Sequence, residues 1–266
     1  MLGDYPVTKH FKANAKGFEF ADVKVPNTAF KRVVRDFEFD VAELALMTFL
    51  LAKAHGKPYR LLPAVVTARF QHSTLAYNPE RGLLSPEKLA GKKVGMRSYS
   101  VTTAAWVRGI LADDYGVDLG KVNWITFEDP HVAEFKDPPN ATRMPTGKDI
   151  TAMLLAGEID AAILPEAPKD GPLKPLIPDP AAAAAAGKKK NGAIQINHMV
   201  TVKNSVSKDS SDEIFRLLTA SRKAANNPEM NPFGVEENRR NLEVAIDCVY
   251  RQKMIPCRFT VEELFQ

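Results

Sequence analysis

The 266-residue sequence is poor in the residues that announce special chemistry: it has two cysteines, five histidines and two tryptophans. Two cysteines, Cys248 and Cys257, make no disulfide framework in a chain of this length and fit a reducing compartment, so a cytoplasmic setting is expected. The histidines stand at 10, 55, 72, 131 and 198, outside any His-x-Glu, His-x3-His or Cys-x2-Cys pattern, so a compact metal motif is missing. A Walker loop, a Gly-x-Ser-x-Gly turn and a dinucleotide fingerprint are missing too, which disfavours cofactor-dependent chemistry; the expected cofactor is none. No apolar run reaches the roughly 18 residues of a membrane span. The opening residues, MLGDYPVTKHF, carry no charged-then-apolar leader pattern. The charge excess is small, +4, and no basic run is interleaved with aromatics, so nucleic acid is a poor partner. Lysines 188–190 read as a solvated loop.

What is present is an ordinary globular composition, 45% hydrophobic and 26% charged, enough for one large domain or two medium lobes. Strand and helix patterns alternate. Strands are expected at Leu2–Tyr5 and at Phe18–Val25, where apolar and polar residues alternate. A short helix is expected over Asn27–Asp36. A strongly apolar helix, VAELALMTFLLAKAH, follows Asp40 and is closed by Gly56, with Pro58 beyond. Asp40 and Glu43 have the spacing of a capping box at its start. Strands are expected at 60–67, 74–78, 92–96, 122–127, 159–164 and 193–202. Helices are expected from Val101 to Gly116, over 149–156, around the alanines 181–186, and over 210–226 and 236–252. This βα alternation predicts an α/β fold with a largely parallel sheet. The middle, 80–192, reads as a self-contained lobe, with 1–79 and 193–266 forming the other. In such folds ligands sit outside the carboxyl ends of the strands, at a switch point or in a cleft between lobes.

The densest chemical signal is RSYSVTT, where a strand hands over to a helix. Arg97, Ser98, Tyr99, Ser100, Val101, Thr102 and Thr103 place a guanidinium and several hydroxyls beside unpaired helix-start N–H groups, which suits a carboxylate or phosphate. Simple capping by Ser100 or Thr102 explains part of this, but it requires neither Arg97 nor Tyr99. Arg69 and His72, in TARFQHSTL, lie between two strands; they read as a carboxylate clamp with a proton donor, or as a surface loop with a salt bridge. His131 and Glu134, in EDPHVAEFKDPP, read as an active-site rim or as a solvated acidic loop. His198, inside INHMV, has the setting of a buried core histidine. Trp106 suits helix packing or the wall of an aromatic pocket. Asp4 and Tyr5 are turn or cleft residues, and Glu43 has a structural role through the capping box.

Several stretches resemble the 4,5-dihydroxyphthalate decarboxylase family: FDVAELALMTFLLAKAHGKP at 39–58, SPEKLAGKKVGM at 85–96, YSVTTAAWVRGIL at 99–111, DPHVAEF at 129–135, LLAGEIDAAI at 154–163, INHMV at 196–200, NPFGVEENRRNLE at 231–243 and the terminal VEELF. LAGEIDAAI and LAGKKVG are general binding-protein features, whereas INHMV, HVAEF and the VTT helix together point more narrowly. The resemblance implies a two-lobed type II periplasmic-binding-protein-like fold with a ligand cleft between the lobes. It makes His72, His131 and His198 cleft candidates, because all three fall in matching segments.

It also implies a carboxy-lyase: cofactor-independent, non-oxidative decarboxylation of 4,5-dihydroxyphthalate, giving protocatechuate and CO2. Arg97 and the hydroxyl-rich helix start would anchor the retained carboxylate, with Arg69 at the second. His72 or His131 would be the general acid, and Glu43 or Glu134 the acceptor of the phenolic proton. The expected partner is a small aromatic carboxylate, with neither nucleic acid nor membrane; homo-oligomerisation is left open. A non-catalytic solute receptor or ligand sensor, and a decarboxylase of another aromatic acid, are the alternative readings.

Overall fold

The computed structural model describes residues 1–266. In chain order the elements are α1 (Pro6–Asn14), β1 (Val41–Ala45), α2 (Leu46–Ala54), β2 (Tyr59–Ala68), β3 (Leu75–Tyr77), β4 (Lys93–Met96), α3 (Thr102–Tyr115) and β5 (Asn123–Thr126). They continue with β6 (Ala141–Arg143), α4 (Ile150–Ala156), β7 (Ala161–Ile163), β8 (Lys174–Pro175), α5 (Pro180–Asn191), β9 (Ile196–Lys203), α6 (Lys208–Ala224) and α7 (Val235–Arg251). They form two compact units, Met1–Arg69 with Ala193–Gln266, and Phe70–Gly192. The chain leaves the first unit at Arg69, ahead of the expected 79, because β3 pairs with β7 inside the second.

The first unit is built on a three-stranded sheet in the order β1-β9-β2, antiparallel throughout, so the expectation of a largely parallel sheet fails here. Residues 41–45, expected as the start of a helix, form β1. VAELAL satisfies helical and strand periods alike, and pairing with β9 decides the matter: Glu43 faces Val200 and Ala45 faces His198. The helix starts only at Leu46, and its residues 46–52 are all buried, as befits a helix apolar on every side. The Asp40–Glu43 capping box therefore does not exist. Residues 1–3 run beside β1, with Glu43 N–H donating to the Met1 carbonyl at 2.9 Å, but the expected strand over Leu2–Tyr5 does not form. Pro6 instead opens α1, a helix the sequence did not announce. Phe18–Val25 forms no strand either; Phe18 and Phe20 fold edge-on against Phe11 in the core around Leu62, Val200, Ile214 and Leu218. Residues 26–36 are helical as two short irregular turns rather than one helix.

The second unit carries a six-stranded sheet in the order β6-β5-β4-β7-β3-β8. Strands β6, β5, β4 and β7 are parallel and β3 is antiparallel to both its neighbours. From β4 the chain proceeds to β5 on one side, while β7 lies on the other. The carboxyl end of β4 is thus the point where strand order reverses, the customary ligand position in open α/β sheets. The stretch 97–103 emerges there. Gly116 closes α3 with a left-handed φ of 63°. The alanine run becomes part of α5, capped by Asp179, whose Oδ1 accepts from Ala182 N at 3.0 Å. Lysines 188–190, expected in a loop, are its last turn, and Lys190 pairs with Asp114 of α3 at 2.7 Å.

Candidate functional site

In the first unit the strand register and the start of α1 bring together three residues remote in sequence. Glu43 on β1 is fully enclosed. Its Oε1 accepts the Tyr5 hydroxyl at 2.8 Å and meets His198 Nδ1 at 2.9 Å, while Oε2 accepts Gly3 N–H at 2.5 Å. A small folded turn places Tyr5: Thr8 Oγ1 accepts from Tyr5 N at 2.9 Å and donates to the Gly3 carbonyl at 2.6 Å. His198, on the adjacent β9, stands edge-on to Phe30 at 5.0 Å between ring centroids and keeps a fifth of its side chain exposed. A carboxylate receiving Nδ1–H fixes the imidazole tautomer and its orientation, leaving Nε2 for proton exchange. Burial, then the neighbouring carboxylate, raises the Tyr5 phenol well above its ordinary range, so it remains a hydrogen-bond donor. Thr67, directly across the sheet from His198, holds a buried hydroxyl without a hydrogen-bond partner.

In the second unit the β4–α3 turn is almost entirely buried. Ser98 and Ser100 are each 1% exposed, Thr102 4% and Tyr99 5%, while Val101 and Thr103 are half-buried. Ser98 and Ser100 hydroxyls lie 3.4 Å apart. Val101 precedes the first helical residue, so no side chain caps α3. The Tyr99 ring does not project from the turn: it stacks on Phe135 and lies edge-on to Trp124. Arg108, reaching back from α3, sits with its guanidinium 3.6 Å from the Tyr99 centroid and donates to Met96 Sδ at 3.4 Å. Arg97 is half-exposed, with Nε 3.8 Å from Glu128, and its carbonyl accepts Phe127 and Glu128 N–H groups. Nearby, Asp137 accepts the Thr126 hydroxyl at 3.3 Å, and burial raises its carboxyl above the ordinary range despite Arg143 and Arg108.

The remaining candidates separate. His72 is 2% exposed beneath α5, where neither ring nitrogen has a hydrogen-bond partner. A Cβ at Gly187 would stand 3.5 Å from its Nε2. Burial lowers its pKa, partly offset by Asp114. His131 is buried in the loop after β5, while Glu134 in the same loop is exposed. Trp106 is 4% exposed on α3. Asp4 is turned to solvent, paired with Lys12 at 2.5 Å, and Arg69 is exposed at the end of β2. Arg108 and Thr67 were not among the sequence candidates. Arg108 left a signal, a lone cation in the otherwise apolar AAWVRGIL; Thr67 left none. A cavity of about 750 Å³ in the first unit, between residues 17–21, 38–41 and 205–210, is lined by none of the candidates. No three His, Cys, Asp or Glu side chains are grouped to hold a metal ion, and no helix is long and apolar enough to cross a membrane.

The chain has the fold of the two-lobed periplasmic binding proteins. It aligns over 99% of its length with 96% of the alkanesulfonate-binding protein SsuA from Xanthomonas axonopodis pv. citri bound to MOPS, with a TM-score of 0.55 and 13% identity. The periplasmic aliphatic sulphonate binding protein SsuA from Escherichia coli aligns with the same coverages at a TM-score of 0.57 and 13% identity. In sequence the chain is a homologue of proteins named 4,5-dihydroxyphthalate decarboxylase. It is 32% identical to that of Comamonas testosteroni over 194 residues, which are 68% of this chain and 59% of the relative. It is 31% identical to that of Pseudomonas putida over 151 residues, 54% of this chain and 58% of the relative. The matches thus span a little under three fifths of these relatives' length. No family model matches the chain.

Proposed function

We propose that the protein catalyses non-oxidative decarboxylation of an aromatic dicarboxylate, 4,5-dihydroxyphthalate, to protocatechuate and CO2. The homology to decarboxylases supplies the reaction class. The observation that carries the chemistry is the enclosed Glu43 carboxylate bound to His198 and Tyr5. The substrate provides its own electron source. Each ring hydroxyl is para to a carboxylate, so loss of the phenolic proton to solvent water loads electron density onto the carbon bearing that carboxylate, and the phenolate takes a proton back after CO2 has left. A proton is then added to this carbon, the carbon–carboxylate bond breaks, and its electron pair restores the aromatic ring as CO2 leaves. One proton replaces one CO2, with no change of oxidation state.

His198 is the proton donor in this reading. Glu43 holds Nδ1–H, and Nε2 delivers the proton; a positioned acid of this kind contributes roughly 10²–10⁴-fold. His72, expected at this step on sequence grounds, is a poorer proton donor: it is enclosed, and burial disfavours the protonated form that would have a proton to give. The second unit receives anions. The first turn of α3, without a side-chain cap, and Ser98 and Ser100 offer donors at a switch point, and Arg97 lies beside it. The departing carboxylate must be held less well than the retained one, since equal binding in ground and transition states does not speed the step.

The test is incubation of the purified protein with 4,5-dihydroxyphthalate, following protocatechuate by chromatography and CO2 release. Stoichiometric production of both is expected. The second reading, a solute-binding protein, is favoured by the fold shared with the sulfonate-binding SsuA proteins. Saturable binding with no product would establish it in place of the first.

A further inference from the structure

Arg108 is the most deeply buried charge in the second unit, with none of its surface exposed. A guanidinium so enclosed is costly unless its surroundings answer it. Its surroundings are specific. Side chains of a helix lean towards the helix N-terminus, and Arg108 uses this to reach back along α3 to the level of the β4–α3 turn. There its Cζ lies over the Tyr99 ring, 3.6 Å from the centroid, and 5.9 Å from that of Trp124, and it donates to Met96 Sδ at 3.4 Å. Met96 is the last residue of β4, and Tyr99 is the centre of the turn. Phe135 also stacks on the Tyr99 ring, nearly parallel at 17° with centroids 6.4 Å apart. Arg108 thus ties the strand end and the turn to the helix that follows them. Asp137 stands within electrostatic reach, shared with Arg143.

We infer that Arg108 is a positioning residue for the anion-receiving turn: by clamping Tyr99 and Met96 it holds Ser98, Ser100 and the opening N–H groups of α3 in place. The inference rests on the assignment of anion reception to this turn. It requires the planar fork, not charge alone, because stacking on a ring while donating sideways is a property of arginine that lysine lacks.

The experiment compares wild type with R108K and R108M. Phthalate, a dicarboxylate without ring hydroxyls, is titrated calorimetrically, and turnover of 4,5-dihydroxyphthalate is measured at saturation. Both variants should bind phthalate about tenfold more weakly or worse, with kcat within about twofold, the pattern of a lost binding contribution common to ground and transition states. The near-ultraviolet circular dichroism from Tyr99 and Trp124 should weaken in both. Wild-type affinity in either variant overturns the inference; in R108K it would show that charge suffices. If R108M does not fold, Tyr99→Leu removes the clamped ring instead and must show the same loss. A wild type that binds no phthalate fails the anion-receiving assignment itself, and the inference with it. A wild type that binds, matched by its variants, fails the inference alone.

Discussion

His198 Nδ1 lies 2.9 Å from Glu43 Oε1, the two residues projecting from the same face of neighbouring antiparallel strands. Glu43 is wholly enclosed while His198 keeps partial exposure, so the pair has a sealed end and an open end. An acid–base device needs that polarity: one partner fixed and dry, the other able to meet a substrate. Tyr5 donates to Oε1 and Gly3 N–H to Oε2, so both carboxylate oxygens are held and the group is restrained from rotating away from the imidazole.

Glu43→Gln keeps the shape of the side chain and an oxygen for Tyr5 or Gly3, but it cannot support a charged imidazole. Turnover of 4,5-dihydroxyphthalate should fall by about 10²–10⁴-fold with a native far-ultraviolet spectrum, and His198→Gln should fall comparably. Because the two act as one unit, the double variant should be little worse than either single. Additive losses, or E43Q turnover within a fewfold of wild type, would remove the pair from the proton step.

Tyr5→Phe isolates the supporting hydrogen bond. The phenol is raised beyond its ordinary titration range, so it supplies a donor and takes no part in proton exchange near neutrality. Its loss should cost about 1 kcal/mol of stability, typical of one partly buried hydrogen bond, and reduce turnover far less than E43Q does. Urea unfolding at constant m-value reads the first and steady-state kinetics the second. A Y5F defect as deep as that of E43Q would mean that the phenol itself handles a proton.

The parts of the fold legible in the sequence were those where local signals and tertiary contacts agree. Gly116 and Gly157 after apolar helices marked boundaries that the structure keeps. Residues 41–45 were misread as helix because VAELAL suits both a helix and a strand, and only the distant β9 selects the strand. The same distance hid their contact: Tyr5, Glu43 and His198 were separate candidates, but they lie 38 and 155 residues apart, and no spacing rule connects them. His198 looked like a core histidine, and it is indeed hydrogen-bonded, but to a buried carboxylate. Phe18–Val25 failed as a strand because alternation supplies a face without supplying a partner; its phenylalanines found Phe11 instead.

His72 predicts a pH dependence of stability. Burial lowers its folded-state pKa below the ordinary value, near 6.5, with Asp114 opposing only in part. Below that value the unfolded chain takes up a proton that the folded chain does not, so stability rises with pH across this window. The contribution is complete above the unfolded pKa and is lost as pH falls through about 6.5. The urea midpoint should therefore drop between pH 7.5 and 5.5 more in wild type than in His72→Leu, which cannot bind the proton. An equal drop in both would place the acid sensitivity elsewhere.

Two glycines in the second unit should respond in opposite directions to the same added methyl group. Gly187 lies inside α5, where a Cβ would make an ordinary contact 3.5 Å from His72 Nε2. Gly187→Ala should thus stabilise by about 0.5–1 kcal/mol through helix propensity. Gly95 lies in β4 with its Cβ position 2.7 Å from Ile159 Cδ1 and 3.1 Å from Ile150 Cγ1. Those isoleucines must move before Gly95→Ala can be accommodated, and overpacking of this kind costs about 1–3 kcal/mol. Because β4 runs directly into residues 97–102, the displacement should also weaken phthalate binding, whereas Gly187→Ala should leave it unchanged. Urea midpoints should rank Gly187→Ala above wild type and wild type above Gly95→Ala. The reverse order would show that the β4–α4 contact is looser, and α5 more constrained, than the packing around these two positions requires.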